Sequence, residues 1–157
     1  MRGKKAKPRQ LKPDLKYKSV IVTKLINYTM KDGKKALATK IVYDAMEEAM
    51  KILKEKDALK VLETAINNLK PNLEVRSRRI GGANYQVPVQ VSESRQLTLA
   101  LRWLLSATRA NRGNVPFSQA LAREIVSAVK KEGSAYKKRE DVEKMAEANR
   151  AFAHFGW

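Results

Sequence analysis

The residues with the clearest chemistry in this chain are arginines, and that chemistry is the binding of phosphate. Between Pro71 and Val129 there are eight arginines and no lysine. Lysine suffices for a solvated surface, whereas the guanidinium fork meets phosphate oxygens with two parallel hydrogen bonds. Arg76, Arg78 and Arg79 crowd one short run, while Arg95, Arg102 and Arg109 recur every seventh residue, with Arg112 just beyond. Seven residues are nearly two helical turns, so on a helix the second set forms one stripe ~21 Å long. The pattern predicts a phosphate-binding surface, against the blander alternative of a solvated face that happens to be rich in arginine.

Those side chains need two kinds of element to hold them. The first is a pair of extended runs, LEVRSRR (Leu73–Arg79) and YQVPVQV (Tyr85–Val91), separated by Ile80-Gly81-Gly82-Ala83-Asn84. The paired glycines supply the positive φ that a tight reversal needs. Tyr85, Val87, Val89 and Val91 alternate with Asn84, Gln86, Pro88 and Gln90, the period of a strand with one covered face. Pro88 cannot donate to a ladder, so its strand must keep one edge free. A two-stranded ribbon standing off a body is expected, with a reach of roughly 23 Å. The second element is a helix over roughly Ser94 to Ala110, with Leu97, Leu101, Leu104, Leu105 and Thr108 opposite the arginines and facing a core.

The remaining segments read as helices. Ser19 is placed to cap VIVTKLINYTMK, with Ile21, Leu25 and Tyr28 on one side and a stop at Lys31-Asp32-Gly33. Lys34 and Lys35 stand at the entrance to a second helix, whose Ala38, Ile41, Val42, Ala45, Ala49, Ile52 and Leu53 fit the helical period. Glu47 and Lys51 are spaced to pair on its other face. Asp57 caps a third, with Leu62, Ile66 and Leu69 inward and Lys70-Pro71 at its end. Val115-Pro116 opens a fifth, with Phe117, Leu121, Ile125, Ala128 and Val129 apolar, stopped by Gly133. Ser134 is the expected cap of a sixth, with Lys137, Lys138 and Arg139 at its start and Val142, Met145 and Ala146 inward. Cations at a helix start oppose the helix dipole, and a bound phosphate is one explanation. The ending RAFAHFGW is aromatic, for packing on the body or meeting a partner.

At 157 residues and 43% hydrophobic content, one domain with a real core is expected. The fold class is mainly α: a six-helix body (19–157) with a protruding two-stranded β-hairpin at about 73–91, preceded by a flexible basic arm (1–18). The arm, MRGKKAKPRQLKPDLKYK, holds Lys4, Lys5, Lys7, Arg9 and Lys12 among its eight cations, with one acid and two prolines. It is too charged and too poor in apolar residues to fold alone. A net charge of +17 makes sense mainly if a polyanion neutralises it in use. Six of the sixteen acids fall between Asp44 and Glu63, on what is expected to be the non-binding back.

Several functional classes are disfavoured. With no cysteine there is no disulfide, thiolate metal site or cysteine catalysis. His154, the single histidine, has no Ser or Cys nucleophile motif around it and reads as a packing or contact residue rather than a base. Neither Gly81-Gly82 nor Lys31-Asp32-Gly33-Lys34-Lys35 is a phosphate loop, because no strand-to-helix GxxxxGK is present. No secretory signal and no apolar run of membrane-spanning length is present. The expectation is a cytoplasmic, non-enzymatic protein with no cofactor, no metal, no small-molecule substrate and no membrane partner.

Four long stretches then carry a resemblance: TKLINYTMKDGKKALATKIVYDA, EVRSRRIGGANYQVPVQV, SESRQLTLALRWLLSATR and KKREDVEKMAEANRAFAHFGW. Together they resemble the bacterial form of the seventh protein of the small ribosomal subunit, over essentially the whole chain. The resemblance implies a primary binder of small-subunit ribosomal RNA, attached to the three-prime major domain, that nucleates assembly of the subunit head. It implies that the arm, the first helix, the hairpin base and the arginine-striped helix meet RNA. The hairpin tip around Gly81, Gly82 and Tyr85 is implied to lie near exit-site transfer RNA and the messenger path. Neighbouring small-subunit proteins, including the eleventh, are the implied protein partners, and in some bacteria such a protein represses its own messenger. On this reading RNA shape carries specificity, and Tyr85 or Trp103 is available to stack, although Trp103 reads more readily as core. Two rivals are an architectural DNA binder with its ribbon in a groove and a basic protein-interaction scaffold.

Overall fold

A computed structural model describes residue 3 and residues 10–155. Six α-helices form the body: α1 (Val20–Thr29), α2 (Lys35–Leu53), α3 (Ala58–Leu69), α4 (Glu93–Ala110), α5 (Phe117–Val129) and α6 (Gly133–Ala148). Between α3 and α4 stand β1 (Leu73–Ile80) and β2 (Ala83–Gln90), and a 3₁₀ helix over Arg150–Phe155 follows α6. The protein is mainly helical, with the expected hairpin. Helix α5 is the hub, packed against α2, α3, α4 and α6. Its fully buried Leu121 and Ile125 meet a core that includes Leu25, Met46, Leu62, Leu69, Leu101 and Leu104.

Local chemistry sets most boundaries. Ser19 Oγ accepts from the Ile21 amide at the start of α1, and Asp57 Oδ1 accepts from Leu59 and Lys60 at the start of α3. Two helices depart from expectation. In α1 the buried stripe is Val22, Leu25 and Ile26, with Ile21 and Tyr28 only half-buried. The reason is that α1 packs on both α2 and α4, so its covered face is wider and rotated. In α2 the last turn overruns the core, leaving Ile52 49% exposed, while Met46 is fully buried. Glu47 forms its ion pair with Lys16 rather than Lys51.

The start of α6 departs from the expected cap more sharply. The helix begins at Gly133, one residue before that cap, and Ser134 Oγ accepts from Asn111 Nδ2 at 2.8 Å. The capping acceptor comes from α5: the buried Glu124 carboxylate takes the Ala135 amide at 2.9 Å. Gly133 sits at φ +89°, where a Cβ would come within 2.9 Å of Ser127 Cβ. Further along, Met145 is 52% exposed instead of inward, whereas Ala146 is buried and Val142 half-buried.

The hairpin is longer and its turn tighter than the sequence suggests. Its register runs from Leu73 opposite Gln90 to Ile80 opposite Ala83, leaving only Gly81 and Gly82 as the loop. Both have positive φ, +55° and +91°, the requirement of the two-residue turn whose twist matches the strands. Among the described residues the sheet has two strands, consistent with Pro88 on an open edge. The ribbon is braced rather than unsupported, because β1 packs on α6 and β2 on the terminal 3₁₀ helix. Tyr85 lies 5.4 Å from the Phe152 ring and 5.1 Å from the Phe155 ring, centroid to centroid.

Candidate nucleic-acid interface

The arginines expected to act together fall into three structural situations. Arg76 and Arg95 converge on Glu74, which lies at the hairpin base and is 7% exposed. Arg76 donates to Glu74 Oε1 through Nε at 2.8 Å and Nη2 at 2.5 Å, and Arg95 Nε donates to Oε2 at 3.2 Å. One carboxylate thus ties β1 to the first turn of α4, and the two guanidinium groups remain about half-exposed. Burial works to raise the Glu74 pKa, but the hydrogen bonds from the two arginines outweigh it and hold the carboxyl below its ordinary value.

Arg78 is anchored differently, donating to the Phe155 carbonyl and so joining the hairpin to the terminal 3₁₀ helix. Arg79, one residue on, points from the opposite face of β1 and is exposed. Tyr85 shares the Arg78 side of the ribbon and is held between two phenylalanines, so its ring serves packing rather than standing free to stack. Trp103 is half-buried, lining a shallow groove with Val75, Leu99 and Met145.

Arg102 and Arg109 make the third situation. Both are exposed on the outer face of α4, behind which Leu101, Leu104, Leu105 and Thr108 are buried, with Leu97 half-buried. Neither has an ion-pair partner among the described residues. Past the helix end, Arg112 Nε donates to the Val115 carbonyl at 2.9 Å, fixing the loop that precedes α5.

Tertiary packing then joins two stretches far apart in sequence. Lys34, at the start of α2, lines one cleft of about 360 Å³ with Arg109 and Arg112. Lys31, which the sequence marks only as part of a helix stop, lies in the same cleft, and its place in the KDGKK turn with Lys34 is the local signal for it. Lys35 is exposed one residue along α2. Lys137 and Lys138 lie on the exposed face of α6, in its second turn rather than at its start, so their opposition to the helix dipole is weak. Their neighbour Arg139 is structural: it donates to the Asn68 carbonyl at 2.8 Å and pairs with Glu143 at 3.0 Å.

The arm is fixed where it meets the body. Thr23 Oγ1 donates to the Lys12 carbonyl at 3.0 Å, and Tyr43 donates to Asp14 Oδ1 at 2.8 Å. Lys16 sits between the Tyr17 and Tyr43 rings, 5.4 and 5.2 Å from their centroids, and pairs with Glu47. Lys4, Lys5, Lys7 and Arg9 lie outside the described residues. His154 is exposed, with Nδ1 2.8 Å from the Ala151 carbonyl and its ring 4.0 Å from that of Phe155. Among the described residues no group of acids and histidines is placed to hold a metal ion, and no helix is long and apolar enough to cross a membrane.

Fold and surface together define a class: a helical body with a basic hairpin, whose presented groups are cations for a polyanion. Residues 1–150 match the family described as Ribosomal protein S7p/S5e. The chain is 52% identical to the small ribosomal subunit protein uS7 of Fervidobacterium nodosum over 157 residues, which is 100% of both chains. Identity and coverage are the same for the Thermotoga maritima protein of that name, and identity is 50% for the one from a Nitratiruptor species. The chain therefore belongs to the S7p/S5e family of ribosomal proteins, and as a small-subunit ribosomal protein it is structural rather than enzymatic.

Proposed function

We propose that this protein is a primary binder of small-subunit ribosomal RNA, attaching to the three-prime major domain and nucleating assembly of the subunit head. The observation that carries this reading is the outer face of α4. Arg102 and Arg109 are exposed there, without an ion partner among the described residues, and the row ends in a cleft shared with Lys31, Lys34 and Arg112. Lysine and arginine displace counterions from folded RNA, while guanidinium forks fix the register on its phosphates. The Glu74 bridge holds the hairpin base on α4, so a second basic element presents at a fixed angle to the first.

The Gly81-Gly82 tip is exposed, as is Arg79 near it, and it suits a position near exit-site transfer RNA and messenger. The arm with Lys4, Lys5, Lys7, Arg9 and Lys12 extends the RNA contact from the anchored turn at Asp14. The acids of α2 and α3 face away from RNA. Neighbouring small-subunit proteins, the eleventh among them, are its protein partners on this reading.

The test is a salt-titrated binding assay on a head-domain RNA fragment with duplex DNA as competitor. The Arg102→Ala, Arg109→Ala double variant should bind at least about ten-fold more weakly and lower the salt slope by about two, one for each phosphate no longer neutralised. A variant that binds unchanged would remove α4 from the interface. Equal affinity for duplex DNA would favour an architectural DNA binder instead.

A further inference from the structure

We propose that the cleft between the α1–α2 turn and the end of α4 receives one unpaired, unstacked nucleotide of the bound RNA. Its base rests on the apolar floor and its flanking phosphates lie on the surrounding cations. The inference rests on the RNA-binding reading above and adds a particular mode of recognition to it.

The lining divides by chemistry. Leu37, Ile41 and Phe117 supply apolar surface, and four cations surround it: Lys31, Lys34, Arg109 and Arg112. A volume of about 360 Å³ is at the small end of the range that holds compact ligands, roughly 300–1,000 Å³. Leu37 is 56% exposed although the next residue, Ala38, is already core at 4%. The body therefore closes without Leu37, and a large aliphatic side chain is left in water among cations. Phosphate alone would need no such floor, and an apolar protein segment would gain nothing from four cations around so small a patch. A nucleotide has both features, an apolar planar face and anionic flanks, and unstacked bases are the part of RNA that proteins read most readily.

Asp32 is the one carboxylate in the lining among the described residues. It repels phosphate and accepts from base N–H donors, so the edge of the base faces it. The cleft also continues the row of Arg102 and Arg109, and a strand lying along α4 reaches it at the helix end.

Leu37→Gln tests this, since glutamine keeps helix propensity and leaves every charge in place. Wild-type protein is bound to a small-subunit ribosomal RNA fragment, and base-specific chemical probing and a salt titration are run on both proteins. The wild type should protect one unpaired base that Leu37→Gln leaves reactive. The variant should bind about ten-fold more weakly with an unchanged salt slope, because the base loses its stacking surface while every phosphate keeps its cation. Leu37→Met should behave as wild type. An unchanged footprint and affinity in Leu37→Gln, or a weakening spread evenly over the whole footprint, would overturn the inference and leave the RNA-binding reading standing. Failure of the wild type to bind the fragment in a salt-dependent way would overturn that reading itself.

Discussion

Glu74 governs how much arginine charge the hairpin base offers to a ligand. Nearly buried, it neutralises part of Arg76 and Arg95 and fixes the ribbon to α4. Its carboxyl titrates below the ordinary value in the folded chain. Such a group contributes stability above its unfolded pKa, about 4.3, and loses it as pH falls through the lower folded value. Glu74→Gln should therefore cost about 1–2 kcal/mol near neutral pH, with the difference from wild type shrinking as pH falls below about 4.3 and gone only below the lower folded pKa. Urea titrations at several pH values measure this, and a difference that persists in acid would rule out the ion-paired carboxylate as its source. Gly133 is the other sensitive residue. Gly133→Ala combines a positive φ with a 2.9 Å approach to Ser127, and a loss of about 2–4 kcal/mol is expected in denaturant melts. A wild-type midpoint would show that the α5–α6 connection relaxes freely.

At the level of elements, the hairpin is held at two points along its length. The Glu74 bridge secures the base, and Tyr85 with Phe152 and Phe155 secures the middle, reinforced by the Arg78 bond to the Phe155 carbonyl. An isolated two-stranded ribbon is marginal in water, so these contacts set how rigidly the tip is presented. Phe152→Ala with Phe155→Ala should speed amide exchange in β2 by about ten-fold or more while leaving α4 and α5 protected. Equal protection in the double variant would mean the strands hold themselves. Helix α4 has two duties in one stretch: its leucines close the core and its arginines face out. Leu104→Ala should thus cost about 2–5 kcal/mol of stability, and the folded fraction should still bind RNA with the wild-type salt slope.

For the whole molecule, the net charge of +17 separates stability from binding. The free protein repels itself, and added salt screens that repulsion. Its melting temperature should rise from about 50 to 200 mM salt, while RNA affinity falls steeply over the same range. Parallel melting and binding titrations would show the opposed trends; a melting point that fell with salt would show that internal ion pairs outweigh the repulsion. The distribution of charge matters as much as its sum. Acids gather along the second half of α2 and in the turn before α3, as Asp44, Glu47, Glu48, Glu55 and Asp57, whereas the start of α2 brings Lys34 to the cleft, so charge is unevenly spread along that helix.

Periodicity and capping chemistry made most elements legible in the sequence. Ser19 and Asp57 mark their helices, the Leu97–Thr108 spacing marks α4 and its outward arginines, and alternating valines with paired glycines mark the hairpin. These signals are local, because a helix or a turn is decided within a few residues. What the sequence could not determine depends on partners distant in the chain. The cap of α6 comes from Glu124 and not from the adjacent Ser134, and the Glu47 ion pair goes to Lys16. The terminal aromatics lie on Tyr85, about seventy residues away, and Lys31 and Lys34 meet Arg109 and Arg112 only once α1, α2 and α4 pack together. Composition established that the protein carries cations for a polyanion. Packing alone decided which cations stand free, which are tied to carboxylates, and where they enclose an apolar floor.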